Sequence, residues 1–484
     1  MAGALRFVLN DEDVEIAEIG ATETLLDYLR LTRRLRGSKE GCAEGDCGAC
    51  TVLVGRLKAG GLVYETVNAC ICFMGMLHGT HVVTIEHLSA PEGPLHPVQQ
   101  AMVDLHGTQC GFCTPGFVMS LYALWMRTPE PTVTQIETAL QGNLCRCTGY
   151  APIVRAGLAM ASYGEVTADP LVAHRAEMVA RLTAIAGSAV DIGAEKNRLI
   201  VPASVDELAA IYEANPGATL VSGATDVGLW VTKFMRDIGP MIFIGHLSEL
   251  HAISETEGAL VLGAGVTYSE GEAVVLRHFP QLGELWPRIG GQQVRNAGTI
   301  GANIANGSPI GDTPPPLIAL GARITLRRGD RRREVKLRDY FIAYGKQDRE
   351  PGEFVEAVSI PYLPVGEKFA CYKVTKRRDE DISALCGAFR IFINDDGVVG
   401  MARIAFGGMA ATPKRARAVE AALVGQPWTP ASVEAALPAF AEDYQPLTDM
   451  RASADYRLLA AQNLLRRFYA ETMGSAERLS KAVA

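Results

Sequence analysis

All but two of the chain's eleven cysteines lie before residue 148, in four short segments. The first segment reads "GCAEGDCGACTV" and contains almost nothing that could build a helix or strand by itself. It supplies Cys42, Cys47 and Cys50. The two later cysteines, Cys371 and Cys386, are isolated, and an isolated free cysteine usually packs as a small hydrophobic side chain. The fold must therefore accommodate two groups of closely spaced cysteines.

The spacing of the first group, four residues and then two, is that of a plant-type [2Fe–2S] loop completed by a distant fourth cysteine. Cys70 in "VNACIC" can complete it, with Cys72 as a competing candidate. Glycines let backbone N–H groups wrap around the sulfurs. We therefore predict Cys42, Cys47, Cys50 and Cys70 as cluster ligands, with a structural zinc site as the alternative.

The flanking sequence favours strands. "LRFVLN" and "VEIAEI" predict a hairpin, "ATETLLDYLRL" predicts a helix capped by Thr22 or Thr24, and "CTVLVGRL" with "VYETVN" predicts a second hairpin. This order of elements predicts a β-grasp ferredoxin domain over residues 1–91.

The second thiol group combines "QCGFCTPG" with "GNLCRCTG". It consists of Cys110, Cys113, Cys145 and Cys147. A CxxC pair opposite a CxC pair can hold a second [2Fe–2S] cluster, whereas the spacing alone also suits zinc or a redox dithiol.

Amphipathic patterns surround this second group and predict four short helices over residues 92–165. Pro115 suits the start of one helix, and Thr134 with Glu137 forms a capping box for the next.

Composition limits the class of protein. A chain of 484 residues should form three or four domains, and a net charge of −8 gives no basic face for nucleic acid. The acidic opening argues against a signal peptide, and the lack of an 18-residue uncharged apolar stretch argues against a membrane span. We therefore expect a cytoplasmic protein whose cysteines are not in stable disulfides.

Two glycine-rich loops follow, "LVSGATDVGL" and "RNAGTIGANIANGSPIGDTPPPLIAL". Their glycines would let backbone amides approach a pyrophosphate, and their hydroxyl and amide side chains can donate hydrogen bonds. Sharp turns alone would also explain such loops. Further on, "FRIFIN" and "GMARIAFGGM" predict a hairpin in a small α+β C-terminal domain.

Taken together, the cysteine motifs "CxxxxCGAC", "NAC", "QCGFCTPG" and "GNLCRCTGY" resemble the two-cluster iron–sulfur unit of the molybdenum hydroxylase family. The glycine loops resemble the flavin-binding domain of the same family, and "YKVTKRRDEDISAL" resembles its loop beside the isoalloxazine ring. A solvated charge run is the alternative interpretation of "KRRDED".

The resemblance implies a multidomain α+β chain whose FAD-binding domain is of the PCMH/VAO-like kind. The domains would be 1–91 (plant-type [2Fe–2S] ferredoxin), 92–165 (helical [2Fe–2S] domain), 166–195 (linker), 196–366 (FAD-binding) and 367–478 (C-terminal domain of the flavoprotein unit). The residues it places at FAD are Val221, Ser222, Gly223, Ala224, Thr225, Asp226, Thr299, Gly301, Asn303, Ser308, Asp312, Arg377, Glu380, Asp381 and Ile382.

The resemblance also implies a role. Electrons would leave a molybdopterin site on a large partner subunit, pass through two [2Fe–2S] clusters to FAD, and reduce NAD. The implied assembly is a heterotetramer of two small and two large subunits. The substrate would be a purine, with another N-heterocycle or an aldehyde as the alternative, and a zinc-stabilised scaffold without enzymatic activity as the alternative from another class. Substrate hydroxylation would then depend on residues of the partner.

Overall fold

The computed structural model describes residues 3–89 and 92–474. These residues divide into two compact units. Unit 1 comprises the described residues up to His251 with Thr267–Glu270 and Gly290–Thr299. Unit 2 comprises Ala252–Val266, Gly271–Ile289 and the described residues from Ile300 onwards.

The first thiol segment leads into a five-stranded sheet in unit 1. Its strands are β1 (Leu5–Leu9), β2 (Glu12–Ile16), β3 (Thr51–Lys58), β4 (Gly61–Asn68) and β5 (His81–Val83). They lie in the order β2-β1-β5-β3-β4, with β1 and β5 parallel and the other neighbours antiparallel. Both predicted hairpins are confirmed, and Thr24 caps the helix that follows the first.

This sheet is buried on both faces. Side chains alternate along a strand, so Phe7 and Val52 enter one core while Val8 and Leu53 enter another. The first core continues into a later sheet, and the second continues into helices. The ferredoxin-like sheet is therefore the middle layer of unit 1.

Four helices surround the second thiol group, as predicted. They are Pro97–Asp104, Thr114–Arg127, Val133–Ala139 and Ala151–Ala159. The predicted capping box of Thr134 and Glu137 is wrong, because Thr132 and Gln135 form the box instead. The two boxes overlap, and the earlier one begins the helix sooner, which adds backbone hydrogen bonds.

Residues 166–195, predicted as a linker, contain the helices Pro170–Ala173 and Arg175–Thr183. Leu171 and Leu182 join the core of the helices around the second thiol group. Leu171 and Leu182 lie on one face of an amphipathic segment, which explains why this part of the chain packs against that core.

A second sheet in unit 1 carries the first glycine-rich loop. Its strands are β6 (Val190–Ile192), β7 (Leu199–Val201), β8 (Thr219–Val221) and β9 (Met241–Phe243), in the order β6-β7-β9-β8. Strand β9 is parallel to both of its neighbours. Helices Leu25–Asp27, Val205–Ala214, Val227–Thr232 and Gln292–Ala297 complete the α-helices of unit 1.

Unit 2 contains two larger sheets and one short strand pair. The first sheet has the order β10-β11-β16-β12-β13, and the C-terminal sheet has the order β17-β18-β19-β20. The strands are β10 (Ile253–Glu255), β11 (Ala259–Gly263), β12 (Arg323–Arg328), β13 (Arg331–Lys336), β14 (Phe341–Ala343), β15 (Lys346–Gln347), β16 (Phe354–Pro361), β17 (Glu367–Val374), β18 (Leu385–Ile393), β19 (Val399–Gly407) and β20 (Lys414–Arg415). The predicted hairpin is confirmed as the antiparallel pair β18 and β19.

The remaining helices are found from residue 268 onwards. They are Tyr268–His278, Ile300–Asn306, Pro314–Leu320, Leu337–Tyr340, Arg417–Leu423, Pro430–Ala436, Phe440–Asp443 and Ala454–Thr472. A π-helical turn covers Tyr28–Thr32, and 3₁₀ turns cover Met74–Leu77, Ile85–His87, Met160–Tyr163, Val166–Ala168, Glu195–Asn197, Ser248–His251, Pro280–Leu282, Trp286–Arg288 and Leu437–Ala439. Within residues 3–89 and 92–474, no helix combines the length and the apolar character needed to cross a membrane.

Candidate redox-cofactor sites

The structure brings the four thiols of the first group together. The Cys42 thiol contacts those of Cys47 and Cys70, and the Cys70 thiol also contacts that of Cys50. Hydrogen bonds from Cys47 and Cys70 lower the pKa of Cys42, whereas the same contacts raise the pKa of Cys47 and Cys70. The backbone N–H of Cys47 lies 3.4 Å from the Cys42 sulfur. Four convergent thiols with N–H groups turned towards sulfur fit the donor set of a [2Fe–2S] cluster.

The thiol loop depends on left-handed backbone conformations. Ala43 has φ 55°, Gly45 has φ 77° and Gly48 has φ 68°. A Cβ added at Gly48 would lie 2.0 Å from the carbonyl oxygen of Gly142. Only glycine therefore fits at position 48, between two of the thiols.

Cys72 does not join this group. Its sulfur is buried and lies 3.9 Å from the carbonyl oxygen of Phe73, and burial raises its pKa to about 12. Of the two competing cysteines, the structure places Cys70 with the other three thiols.

The second group forms two pairs of thiols. Cys110 contacts Cys147, and Cys113 contacts Cys145. The Phe112 N–H, and then the contact with Cys147, lower the pKa of Cys110, whereas Cys110 raises the pKa of Cys147. Burial, and then Cys145, raise the pKa of Cys113 to about 12.

A hydroxyl group supports this second donor set. The Thr148 hydroxyl lies 3.1 Å from the Cys145 sulfur. Burial acts to raise the pKa of Cys145, but hydrogen bonds from the Thr148 hydroxyl and N–H lower it overall. These donors stabilise thiolate, which is the form that binds iron.

One hydrogen bond joins the two thiol groups through the backbone. The N–H of Leu144, next to Cys145, donates to the carbonyl oxygen of Cys47 at 3.0 Å. Asn143 Nδ2 also donates to the carbonyl oxygen of Gly48 at 3.2 Å. The groups are therefore connected by a short path of covalent bonds and one hydrogen bond.

Gln293, on the helix Gln292–Ala297, reaches into this junction. Its Nε2 donates to Thr51 Oγ1 and to Asn143 Oδ1, both at 3.1 Å. Gln293 is buried, and sequence reasoning missed it because its partners lie more than a hundred residues away.

Among the residues that the structure describes, no three His, Cys, Asp or Glu side chains have the arrangement of a single-ion metal site.

The first glycine-rich loop follows strand β8 in unit 1. A Cβ added at Gly223 would lie 1.8 Å from the carbonyl oxygen of Ala297, so the backbone passes too close there for any side chain. Thr299 Oγ1 lies 3.3 Å from Ser222 Oγ. The loop lies at the carboxyl end of a parallel strand, leads into a helix and has two hydroxyl groups beside it. These features fit a cradle for a pyrophosphate.

This loop is attached to the first thiol segment. Thr232 Oγ1, at the end of the loop's helix, donates to the carbonyl oxygen of Ala43 at 2.7 Å, and Lys233 pairs with Glu44 at 3.5 Å. The side chain of Ile71, which follows Cys70, lies against Gly228. The first glycine-rich loop and the first thiol loop therefore support each other.

Unit 2 contains the rest of the second loop. Asn303 Oδ1 accepts a hydrogen bond from Thr313 Oγ1 at 2.8 Å. Asp312 is held by Lys373 Nζ at 2.7 Å and by Ser383 Oγ at 2.5 Å. Sequence reasoning missed Lys373, although a lysine within the apolar strand "FACYKV" was the available signal.

The charged segment after β17 is an ordered loop within unit 2. The N–H of Arg377 donates to Asp381 Oδ2 at 2.8 Å, and its guanidinium donates to the carbonyl oxygen of Glu380 at 2.6 Å. Arg288 donates to the carbonyl oxygen of Arg378 at 3.0 Å and to Thr375 Oγ1 at 2.8 Å. The segment is thus both charged and fixed, with Arg377 exposed.

Comparison with known proteins gives three family matches. Residues 84–158 match a [2Fe-2S] binding domain, residues 194–363 match the FAD binding domain in molybdopterin dehydrogenase, and residues 370–472 match the CO dehydrogenase flavoprotein C-terminal domain. A solved carbon monoxide dehydrogenase from Hydrogenophaga pseudoflava, described as lacking the Mo-pyranopterin moiety of the molybdenum cofactor, is 30% identical. It aligns over 58% of this chain and 98% of its own, with a TM-score of 0.53. The chain belongs to the molybdenum hydroxylase family.

The resemblance inferred from the motifs is thereby confirmed at the level of the molybdenum hydroxylase family. A xanthine dehydrogenase from Emericella nidulans is 31% identical over 98% of this chain and 39% of its own length. The chain therefore spans well under half the length of this curated relative. Quinoline 2-oxidoreductase from Pseudomonas putida 86 is 26% identical over 57% of this chain and 96% of its own, with a TM-score of 0.51.

Proposed function

We propose that this chain is the electron-transfer subunit of a xanthine dehydrogenase. Electrons from hypoxanthine or xanthine, oxidised to urate at a molybdopterin site on a large partner subunit, would pass through two [2Fe–2S] clusters and FAD to NAD. The observation that carries this proposal is the junction of two four-thiol groups beside a flavin loop, in a chain that aligns over 98% of its length with a xanthine dehydrogenase.

The chain's own residues perform binding and positioning in this scheme. When bound, the clusters supply one-electron transfer and FAD supplies hydride transfer to NAD. The eight thiols would hold the irons at fixed positions, and the Cys47–Leu144 hydrogen bond connects the two groups. N–H and O–H donors at Cys42, Cys110 and Cys145 offset negative charge on sulfur, which raises the reduction potential.

A second candidate is the same subunit in a dehydrogenase for another N-heterocycle or an aldehyde. It is favoured by the solved quinoline 2-oxidoreductase, which is about as similar to this chain as the solved carbon monoxide dehydrogenases are. Copurification with the large subunit, followed by assays with purines, N-heterocycles and aldehydes, separates the two. Turnover of quinoline-type substrates without xanthine turnover would contradict our first choice.

A visible spectrum tests the cofactor assignment itself. We expect a brown protein with flavin absorbance and about four irons per chain, as two [2Fe–2S] clusters require. A colourless protein containing only zinc would instead establish the non-enzymatic scaffold.

We also propose where the large subunit binds. Cys110 and Cys147 are exposed, and exposed apolar side chains of Phe112, Leu144 and Tyr150 belong to the same two segments. An exposed apolar surface next to the cluster that would receive electrons is typical of a site covered by a stable protein partner. The proposed complex contains two small and two large subunits in the cytoplasm.

Replacing Phe112 with Asp tests this surface. A buried charge at the interface should weaken association with the large subunit by roughly tenfold or more, measured by sedimentation of the mixed subunits. Val365→Asp is the matched control, because Val365 is fully exposed in unit 2. Equal association of both variants would place the interface elsewhere.

Arg377→Gln tests the route to NAD. If the charged loop borders the isoalloxazine ring, the loss of a cation should disfavour the anionic reduced flavin and slow NAD reduction by roughly tenfold. Reduction of a dye that accepts electrons from the clusters should change less. Equal losses with both acceptors would locate the defect upstream or in folding, and no loss would make the loop a solvated charge run.

A further inference from the structure

A polar pocket in unit 1 joins the ferredoxin-like sheet to the first flavin loop. Arg56 and Lys58 of strand β3 line it together with Ser222, Gly223 and Thr299. The last three are residues that we assign to FAD, and the first two lie on the strand that follows Cys50. Iron–sulfur and flavin segments therefore share one cavity.

The flavin loops lack an available positive charge. FAD has a pyrophosphate with two negative charges, yet the loop residues 220–229 and 295–313 contain the carboxylates Asp226 and Asp312 and a single cation, Arg295. Arg295 is buried and donates to the carbonyl oxygen of Gly290 and to Gln141 Oε1. Backbone N–H groups and hydroxyls can bind phosphate oxygens, but they carry no net positive charge, so a cation from another segment would strengthen the binding.

Lys58 is already neutralised within the pocket. Its Nζ lies 2.8 Å from both carboxylate oxygens of Glu65 and 2.9 Å from Glu270 Oε1. Glu270 also accepts hydrogen bonds from His251 at 2.8 Å and from the Thr267 N–H at 2.9 Å. The positive charge of Lys58 is therefore paired with these two carboxylates.

Arg56 differs from Lys58 in this respect. Among residues 3–89 and 92–474, its guanidinium has no hydrogen-bond or ion-pair partner. It is only partly exposed and lines the same cavity as the Ser222 and Thr299 hydroxyls. A guanidinium presents a planar fork of donors that matches two phosphate oxygens.

We propose that Arg56 binds the pyrophosphate of FAD, so that the ferredoxin-like sheet supplies the cation that the flavin loops lack. This inference rests on the proposed FAD site and adds to it a residue from the iron–sulfur part of the chain. Arg56 would hold phosphate together with the Ser222 and Thr299 hydroxyls. Flavin affinity would then depend on strand β3.

The test uses the full-length chain stripped of FAD and titrated with FAD and with ADP, which has the pyrophosphate without the flavin ring. Arg56→Gln should weaken both by roughly ten- to a hundredfold, the effect of losing a hydrogen bond to a charged group. Arg56→Lys should retain part of the affinity, because it keeps the charge but loses the fork. Arg36→Gln is the matched control, since Arg36 is an exposed arginine of the same domain.

Each outcome decides the proposal. Unchanged FAD affinity in Arg56→Gln overturns it, and so does a loss for FAD without a loss for ADP. Electron paramagnetic resonance of the clusters reports whether the sheet has folded. If Arg56→Gln does not fold, the Arg56→Lys variant is measured instead, and an ADP affinity equal to that of the wild type overturns the proposal. A wild-type chain that binds no FAD refutes the proposed function itself.

Discussion

Cys147→Ser is expected to remove the cluster at the second thiol group and to stop electron flow from the molybdenum partner to FAD. A serine hydroxyl replaces one of four thiolates, and only the thiolate is an effective ligand. Substitution of a residue that merely supports a metal ligand costs about 10- to 100-fold in activity, so loss of the ligand itself should exceed that range. The assay is reduction of NAD by the reconstituted complex.

Flavin content should stay unchanged in this variant. The helix after the first flavin loop contacts Ala43 and Glu44 of the first thiol loop, and Cys147 pairs with Cys110 in the second group. Electron paramagnetic resonance should show one reduced-cluster signal in place of two. Cys72→Ala is the control, because Cys72 lies outside both groups, and it should retain both signals. Two signals in Cys147→Ser would remove Cys147 from the ligand set.

Gly223→Ala is expected to strip FAD from the protein while leaving the iron in place. The added Cβ would lie 1.8 Å from the carbonyl oxygen of Ala297, so the loop must move away from its present path. Overpacking of this kind costs about 1–3 kcal/mol, which is roughly a five- to 150-fold loss of affinity when the binding loop takes the full distortion. Flavin released by acid, per mole of iron, measures the effect.

The matched control for this variant is Gly217→Ala. Gly217 lies in the same part of unit 1, has no atom within 4 Å of an added Cβ and does not require a left-handed backbone. It should bind FAD as the wild type does. Equal flavin content in the two variants would show that the backbone at Gly223 does not cradle the nucleotide.

The sequence predicted the thiol groups because their information is local. Three cysteines of the first group and each pair of the second group follow short spacings, and strand β4 leads to Cys70, which joins the loop that carries the other three. Hairpins and amphipathic helices likewise depend on patterns within a few residues. The assignment of individual residues to FAD and to the two clusters remains a prediction that the experiments above test.

Contacts between distant segments could not be predicted in the same way. Lys373 and Asp312 are 61 positions apart, and Gln293 reaches Thr51 across 242 positions. Neither pair belongs to a motif with fixed spacing. The second buried face of the ferredoxin-like sheet did leave a signal, because Val52, Leu53 and Val54 are consecutive apolar residues, as in strands covered on both sides.

The two-sided burial of that sheet limits how the chain can be divided. A fragment ending before Val190 would retain Phe7 and Val52. It would lose the strands whose side chains pack in the same core, including Met241 and Phe243 of strand β9. The uncovered apolar face would be exposed to water and would promote aggregation. The iron–sulfur part is therefore not an interchangeable module here, and expressing it alone would require redesign of that face with polar side chains.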